Sequence, residues 1–175
     1  HSHNAFFTES FIDEAAHAAG ADPVAFRLAM LTHRPRHAAV LRLAAQQAGW
    51  GQPLPEGRAR GVALHESFGT IVAEVVEIEA GSPAGTRAAP RVRRVVCAVD
   101  CGTVVNPNGV AQQVESGVIF GLGQALGRPR ALGHGRARHA PPGTGARQRL
   151  VCAHRTAAAG PALVERARLS APECA

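Results

Sequence analysis

The chain has 175 residues and is 46% hydrophobic, which suits one domain around one core and excludes wholesale disorder. No apolar run approaches the roughly 18 residues that a membrane-spanning helix needs. The net charge of +6, with a pI near 10.8, invites a nucleic-acid reading, but the charge is not spread evenly. Residues 1–126 hold 10 Arg and 11 acidic residues, a net of −1, whereas residues 127–175 hold 9 Arg and 2 acidic residues, a net of +7. Lys and Tyr are absent and aromatic residues make up 4%, so the core must be aliphatic and rich in Ala.

The first elements read as helices. Phe7, Phe11, Ala15 and Ala18 fall on one face at helical spacing, and Gly20 supplies a stop, so a helix is predicted over about residues 5–19. Asp22-Pro23 is a capped helix start, continued by Val24, Leu28 and Leu31. Pro35 opens a third helix, with Val40, Leu43, Ala44 and Ala48 inward and Gly49 as its stop. Residues 52–55, Gln-Pro-Leu-Pro, form a linker.

The pattern then changes to strands. Gly61–His65 is a short apolar run, and Gly69–Glu79 is long and rich in β-branched residues. Arg91–Val99 is β-like again, and the Gly- and Pro-rich stretch between the two long runs predicts an antiparallel hairpin. Asn106-Pro107 starts a further helix with Val110, Val114, Val118, Leu122 and Ala125 on one side. Ser116, Gly117, Gly121 and Gly123 make that helix small-sided. Each interior Gly costs about 1 kcal/mol against Ala, so the cluster marks a close approach, most simply tight packing against a strand. The fold class is therefore α+β: N-terminal helices, an antiparallel hairpin, then a small-residue helix.

Residues 127–175 differ in kind. They lack Phe, Ile, Trp, Met, Asn, Asp and Lys, and show no periodicity before a weak Ala/Leu helix around 157–169. The expectation is a disordered tail. Its Arg, Ala, Gly, Pro and His composition is also what a G- and C-rich gene yields when read out of frame.

Few residues carry chemistry by local pattern. Cys97 and Cys101 would lie ~13 Å apart on an extended strand, too far for one metal or a disulfide, so they read as buried free thiols. His65-Glu66 lacks the second His of a zinc-protease helix, and no nucleophile elbow, Walker loop or dinucleotide-binding Gly motif occurs. Glu115 beside Gln113 reads as structural rather than as acid–base machinery.

Three segments are more specific together. The first is Ser2-His3-Asn4-Ala5-Phe6-Phe7-Thr8-Glu9-Ser10-Phe11, running on through Asp22-Pro23-Val24-Ala25-Phe26-Arg27. The second is Gly61-Val62-Ala63-Leu64-His65-Glu66-Ser67-Phe68-Gly69. The third is Arg94-Val95-Val96-Cys97-Ala98-Val99-Asp100-Cys101-Gly102 with Asn106-Pro107, Gln113-Val114-Glu115-Ser116-Gly117 and Gly121-Leu122-Gly123. In this order they resemble the molybdenum hydroxylase large subunit of the xanthine dehydrogenase/aldehyde oxidase family, in its isoquinoline 1-oxidoreductase branch. The resemblance covers about residues 1–126 and separates them from the tail at 127–175.

The resemblance implies part of a molybdopterin-binding domain. Its cofactor would be molybdopterin, in the cytosine dinucleotide form. The parent reaction would be hydroxylation of an N-heterocycle or oxidation of an aldehyde with oxygen from water, and a small [2Fe–2S] subunit would take the electrons. By position, Gln113 matches a glutamine that contacts the cofactor, and Gly117 and Gly121 match a helix passing close to it. His3 and Asn4 match a loop before the first helix that approaches it. The chain departs from the pattern at Ser116, where the family has Gly, and lacks the Gly-Glu motif that supplies the family's catalytic base. The resemblance thus implies no catalytic residue and no metal ligand here, and a fragment inactive alone.

Two other readings compete. One is a basic-tailed nucleic-acid or polyanion binder, disfavoured because the Arg share no helix face and no aromatic accompanies them. The other is a structural or interaction subunit. No leader, lipid-attachment motif or membrane anchor is visible, and the free thiols lean toward a reducing compartment.

Overall fold

The computed structural model describes residues 2–80, 90–126, 147–156 and 159–165. Three helices come first: α1 (Ser2–Ala18), α2 (Pro23–Met30) and α3 (Pro35–Ala48). Asp22 caps α2 by accepting from the amides of Val24 at 3.0 Å and Ala25 at 2.9 Å, and Pro23 takes the first helical position. The other Asp22 oxygen accepts from Trp50 Nε1 at 2.7 Å, which ties that cap to the end of α3. Gly49 ends α3 in the left-handed region, at φ 67°.

The strands are β1 (Arg58–Ser67), β2 (Thr70–Glu79) and β3 (Arg91–Asp100), followed by α4 (Pro107–Ala125), β4 (Arg147–Thr156) and β5 (Ala159–Glu165). The sheet order is β1-β2-β3-β4-β5. The first three strands form an antiparallel meander, as the two β-branched runs predict, and β1 adds the short apolar run to it. β4 lies parallel to β3, and β5 returns antiparallel to β4. The fold is mixed α+β.

The core lies between α3 and one face of the sheet. Val40, Leu41, Ala44, Ala45 and Ala48 pack on Val62, Ile71, Ala73, Val75, Val96 and Ala98. Alternation on β2 sends Ile71, Ala73 and Val75 to this face and leaves Val72, Glu74 and Val76 on the other. β3 is buried on both faces from Val95 onward, because β2 and β4 flank it and helices lie to either side. The small inward residues of α3 let that helix sit close to the sheet.

Two expectations are corrected here. Phe7 and Phe11 do not point inward: both are exposed, and the buried face of α1 carries Glu9 and Ala16 instead. A buried ion pair, described below, outweighs the apolar stripe in setting the rotation of α1. The weak helix around 157–169 is not formed where the chain is described, since 159–165 is strand β5. Gly160-Pro161 explains this: Gly lowers helix propensity, and Pro removes a donor and clashes with the preceding turn. The expected disorder of the tail concerns residues of which 127–146, 157–158 and 166–175 lie outside the described residues.

Candidate functional site

The site predicted on α4 starts from the end of β3. Asp100 Oδ1 accepts from the Gly102 amide at 3.2 Å, closing a turn in which Gly102 takes φ 77°. Asp100 Oδ2 accepts from Arg36 Nε at 2.8 Å, fixing the strand end to the first turn of α3. Asn106 then caps α4 through the amides of Asn108 at 3.1 Å and Gly109 at 3.2 Å. The first turns of α4 pack Val110, Ala111 and Val114 on Cys97, Val99 and Val72, on the sheet face away from α3. Neither Cys97 nor Cys101 is in a disulfide; Cys97 is buried as expected, whereas Cys101, just past the strand end, is only half-buried.

Beyond Val118 the helix changes character. Ile119 and Phe120 are exposed, and Gln113, Gly117 and Gly121 form an exposed stripe at i, i+4 and i+8. A Cβ built on Gly117, Gly121 or Gly123 would meet nothing within 4 Å. The tight packing expected of this small-sided face is therefore absent among the described residues, and the face is open. His3 and Asn4 lie not in a loop but in the first turn of α1, both exposed. No hydrogen bond or core cluster among the described residues joins α1 to α4, so the structure groups Gln113, Gly117 and Gly121 and leaves His3 and Asn4 apart.

The structure shows three features that local patterns miss. Arg27 is buried and donates to Glu9 Oε2 at 2.9 Å, Asp13 Oδ1 at 2.7 Å, the Pro23 carbonyl at 3.2 Å and the Glu9 carbonyl at 3.2 Å. Glu9 Oε2 also accepts from the Leu64 amide at 2.8 Å, so one carboxylate joins α1, α2 and β1. Second, a cleft of about 330 Å³ opens beside this cluster, with Ile12, Met30, Leu31 and Leu64 among its lining. Third, Glu74 lies on the apolar α4 side of the sheet. Burial pushes its carboxyl above the ordinary range, and a contact from Cys97 Sγ at 3.8 Å opposes that weakly. Glu9 gives a faint signal in the sequence, since it falls on one helical face with Ala16. Nothing local announces Arg27 or the cleft.

Comparison with known proteins decides the family. A family model described as a molybdopterin cofactor-binding domain matches residues 33–129. This chain belongs to that family. The match runs from just before α3 through β1, β2 and β3 to just past α4, so it contains Gln113, Gly117 and Gly121 and leaves out His3, Asn4, β4 and β5.

Three relatives extend the comparison. The isoquinoline 1-oxidoreductase beta subunit of Brevundimonas diminuta is 40% identical over 124 residues, 69% of this chain and 16% of the relative. A nicotinate dehydrogenase subunit of Pseudomonas putida is 36% identical over 140 residues, 70% of this chain and 12% of the relative. A membrane-bound aldehyde dehydrogenase of Gluconacetobacter polyoxogenes, named for pyrroloquinoline quinone, is 31% identical over 144 residues, 67% of this chain and 17% of the relative. The chain thus spans less than a fifth of each. These matches make it a segment of a molybdopterin cofactor-binding domain; the three relatives are named as an oxidoreductase or dehydrogenases, two of them as subunits.

The residues present fit one wall around a large polar cofactor. The Gln113 amide is exposed and offers neutral donors, and at Gly117 and Gly121 no side chain blocks approach to the helix backbone. Among the described residues there is no cluster of three or more His, Cys, Asp or Glu that could hold a metal ion, and no helix is long and apolar enough to cross a membrane.

Proposed function

We propose that this chain supplies one wall of the cofactor site in a molybdenum-dependent oxidoreductase. Gln113, Gly117 and Gly121 on α4 would face the molybdopterin, and His3 and Asn4 would approach it from α1. The carrying observation is that the family match spans α3, β1–β3 and α4 while the glycine stripe of α4 stays open among the described residues. Among the described residues no part of the chain packs on that stripe.

The finer reading follows from the resemblance. The cofactor is the cytosine dinucleotide form of molybdopterin, and when bound it supplies two-electron redox chemistry. The substrate is an N-heterocycle or an aldehyde, oxidised with oxygen from water, and the two electrons pass to a partner subunit carrying [2Fe–2S] clusters. This chain contributes positioning alone. Gln113 donates to polar groups of the cofactor, the bare backbone at Gly117 and Gly121 admits it closely, and no residue here serves as catalytic base. Alone, the chain is inactive.

The test is a chimera in which residues 1–126 replace the matching stretch of the Brevundimonas relative. The expected chimera assembles and carries molybdenum and pterin near one per large subunit, and Gln113→Ala lowers both. The isolated chain, made in a molybdenum-competent host, carries neither in stoichiometric amount. A chimera that assembles normally but lacks molybdopterin would overturn the reading.

A further inference from the structure

The aromatic residues of this chain are inside out. Five of its six Phe are exposed: Phe6 at 68%, Phe7 at 65%, Phe11 at 70%, Phe68 at 94% and Phe120 at 54%. Three stand on the outer side of α1, with Phe6 and Phe7 in edge-to-face contact at 5.7 Å. The packing that holds α1 is polar, made by Glu9 and Asp13 on Arg27 and by Glu9 on the Leu64 amide. The Phe residues of α1 therefore do little for this chain's own core. Exposed aromatics at this density mark a contact surface.

The surface has a receptacle. The cleft of about 330 Å³ is formed by α1, α2, the start of α3 and β1; Ile12, Leu31 and Leu64 give it an apolar floor, and Arg34, His37 and Glu66 are among its polar lining. Met30, half exposed, lies at its edge, and Phe7 and Phe11 flank the α1 residues that line it. The Arg27 cluster fixes one side of it. A pocket with apolar walls, a polar rim and exposed apolar residues around it is how protein interfaces receive an anchoring side chain.

The relatives indicate what covers it. In each, more than four-fifths of the polypeptide lies outside the stretch this chain matches. The family match begins at residue 33, so α1 and α2 stand outside the matched domain while being clamped to it through Glu9 and Leu64. We propose that the α1–α2–β1 cleft and its Phe and Met surround dock the polypeptide that makes up the remainder of the large subunit, which inserts an apolar anchor side chain between Ile12 and Leu64. This rests on the family reading above and adds the surface and the occupant.

The test uses the full chain and the Brevundimonas large subunit deleted for its matching stretch, with that stretch as the positive control. The expected result is one-to-one binding of this chain, weakened at least 100-fold by Phe7→Asp combined with Met30→Asp. Arg42→Asp, at an exposed position on α3, leaves binding unchanged. Binding of the control stretch but not of this chain overturns the proposal. So does wild-type affinity in the double variant, or self-association of the chain through this face. Should neither the chain nor the control stretch bind, the double variant is made in the chimera. A tenfold or greater loss of assembled enzyme is then expected, and undiminished assembly overturns the proposal. Molybdenum content separates the two readings. A chimera that assembles despite the double substitution and keeps its molybdopterin sinks the docking proposal alone. One that assembles without molybdopterin sinks the functional reading alone.

Discussion

Glu9 and Arg27, eighteen residues apart, meet at 2.9 Å in a site where Arg27 is 2% exposed. The guanidinium is spread over three acceptor residues, Glu9, Asp13 and Pro23, and Glu9 reaches on to the Leu64 amide. A charge so placed is costly to bury and costlier to orphan. Arg27→Met leaves the Glu9 carboxylate facing a desolvated site, and removing one partner of a buried pair costs about 3–5 kcal/mol. Urea unfolding of the full chain is expected to show a loss of this size. A loss under about 1 kcal/mol, the range of exposed pairs, would mean that water fills in around Glu9.

Phe68 and Gly69 form the two-residue turn between β1 and β2, closed by the Ser67–Thr70 pair. Both take positive φ, 50° and 79°, the geometry in which Asn-Gly is the favoured pair. A bulky side chain there strains the backbone by about 1–2 kcal/mol. Phe68→Asn is therefore expected to raise the stability of the chain by about 1 kcal/mol, read as a higher urea midpoint at unchanged slope. An unchanged or lower midpoint would show that the exposed ring is stabilising within the chain itself.

Glu74 gives a pH signature. Burial raises its folded carboxyl above the ordinary value, so the folded state holds this proton more tightly than the unfolded chain. Between the two values the folded chain is protonated and the unfolded chain is not. This group's contribution to stability therefore falls as pH rises through that window, and the penalty is complete above the folded value. Glu74→Gln removes it. The variant is expected to melt higher than the parent at pH 8, with the gap closing toward pH 4. A gap independent of pH would place the effect in packing.

How far the sequence discloses this follows from where each determinant lies. Asp22-Pro23 and Asn106-Pro107 announce α2 and α4 because a cap and its amides are two or three residues apart. The β2–β3 pairing is legible because β-branched runs flank a turn-rich stretch. The rotation of α1 is not, because its partners lie at Arg27 and Leu64, far along the chain. β4 is hidden too, since an Arg-rich segment becomes a strand through the edge that β3 offers it. On α4 the spacing of Gln113, Gly117 and Gly121 shows one stripe. Whether another backbone covers it is a tertiary fact, and among the described residues the local expectation of packing fails.

That open stripe leads to a prediction with two opposed signs. Gly121 lies inside α4, and a Cβ there meets nothing within 4 Å. In the isolated chain Gly121→Ala should therefore stabilise the local helix by about 1 kcal/mol, because Ala loses less backbone freedom on ordering. Amide exchange in the second half of α4 is expected to slow about fivefold, the factor that this free energy sets. In the chimera the larger Gly121→Leu should do the reverse to function, lowering molybdenum and pterin content because the side chain occupies the space reserved for the cofactor. Slower exchange with undiminished molybdenum would leave α4 a solvent-facing helix and move the cofactor wall elsewhere. Unchanged exchange in the Ala variant would show that the end of α4 is not helical in the isolated chain.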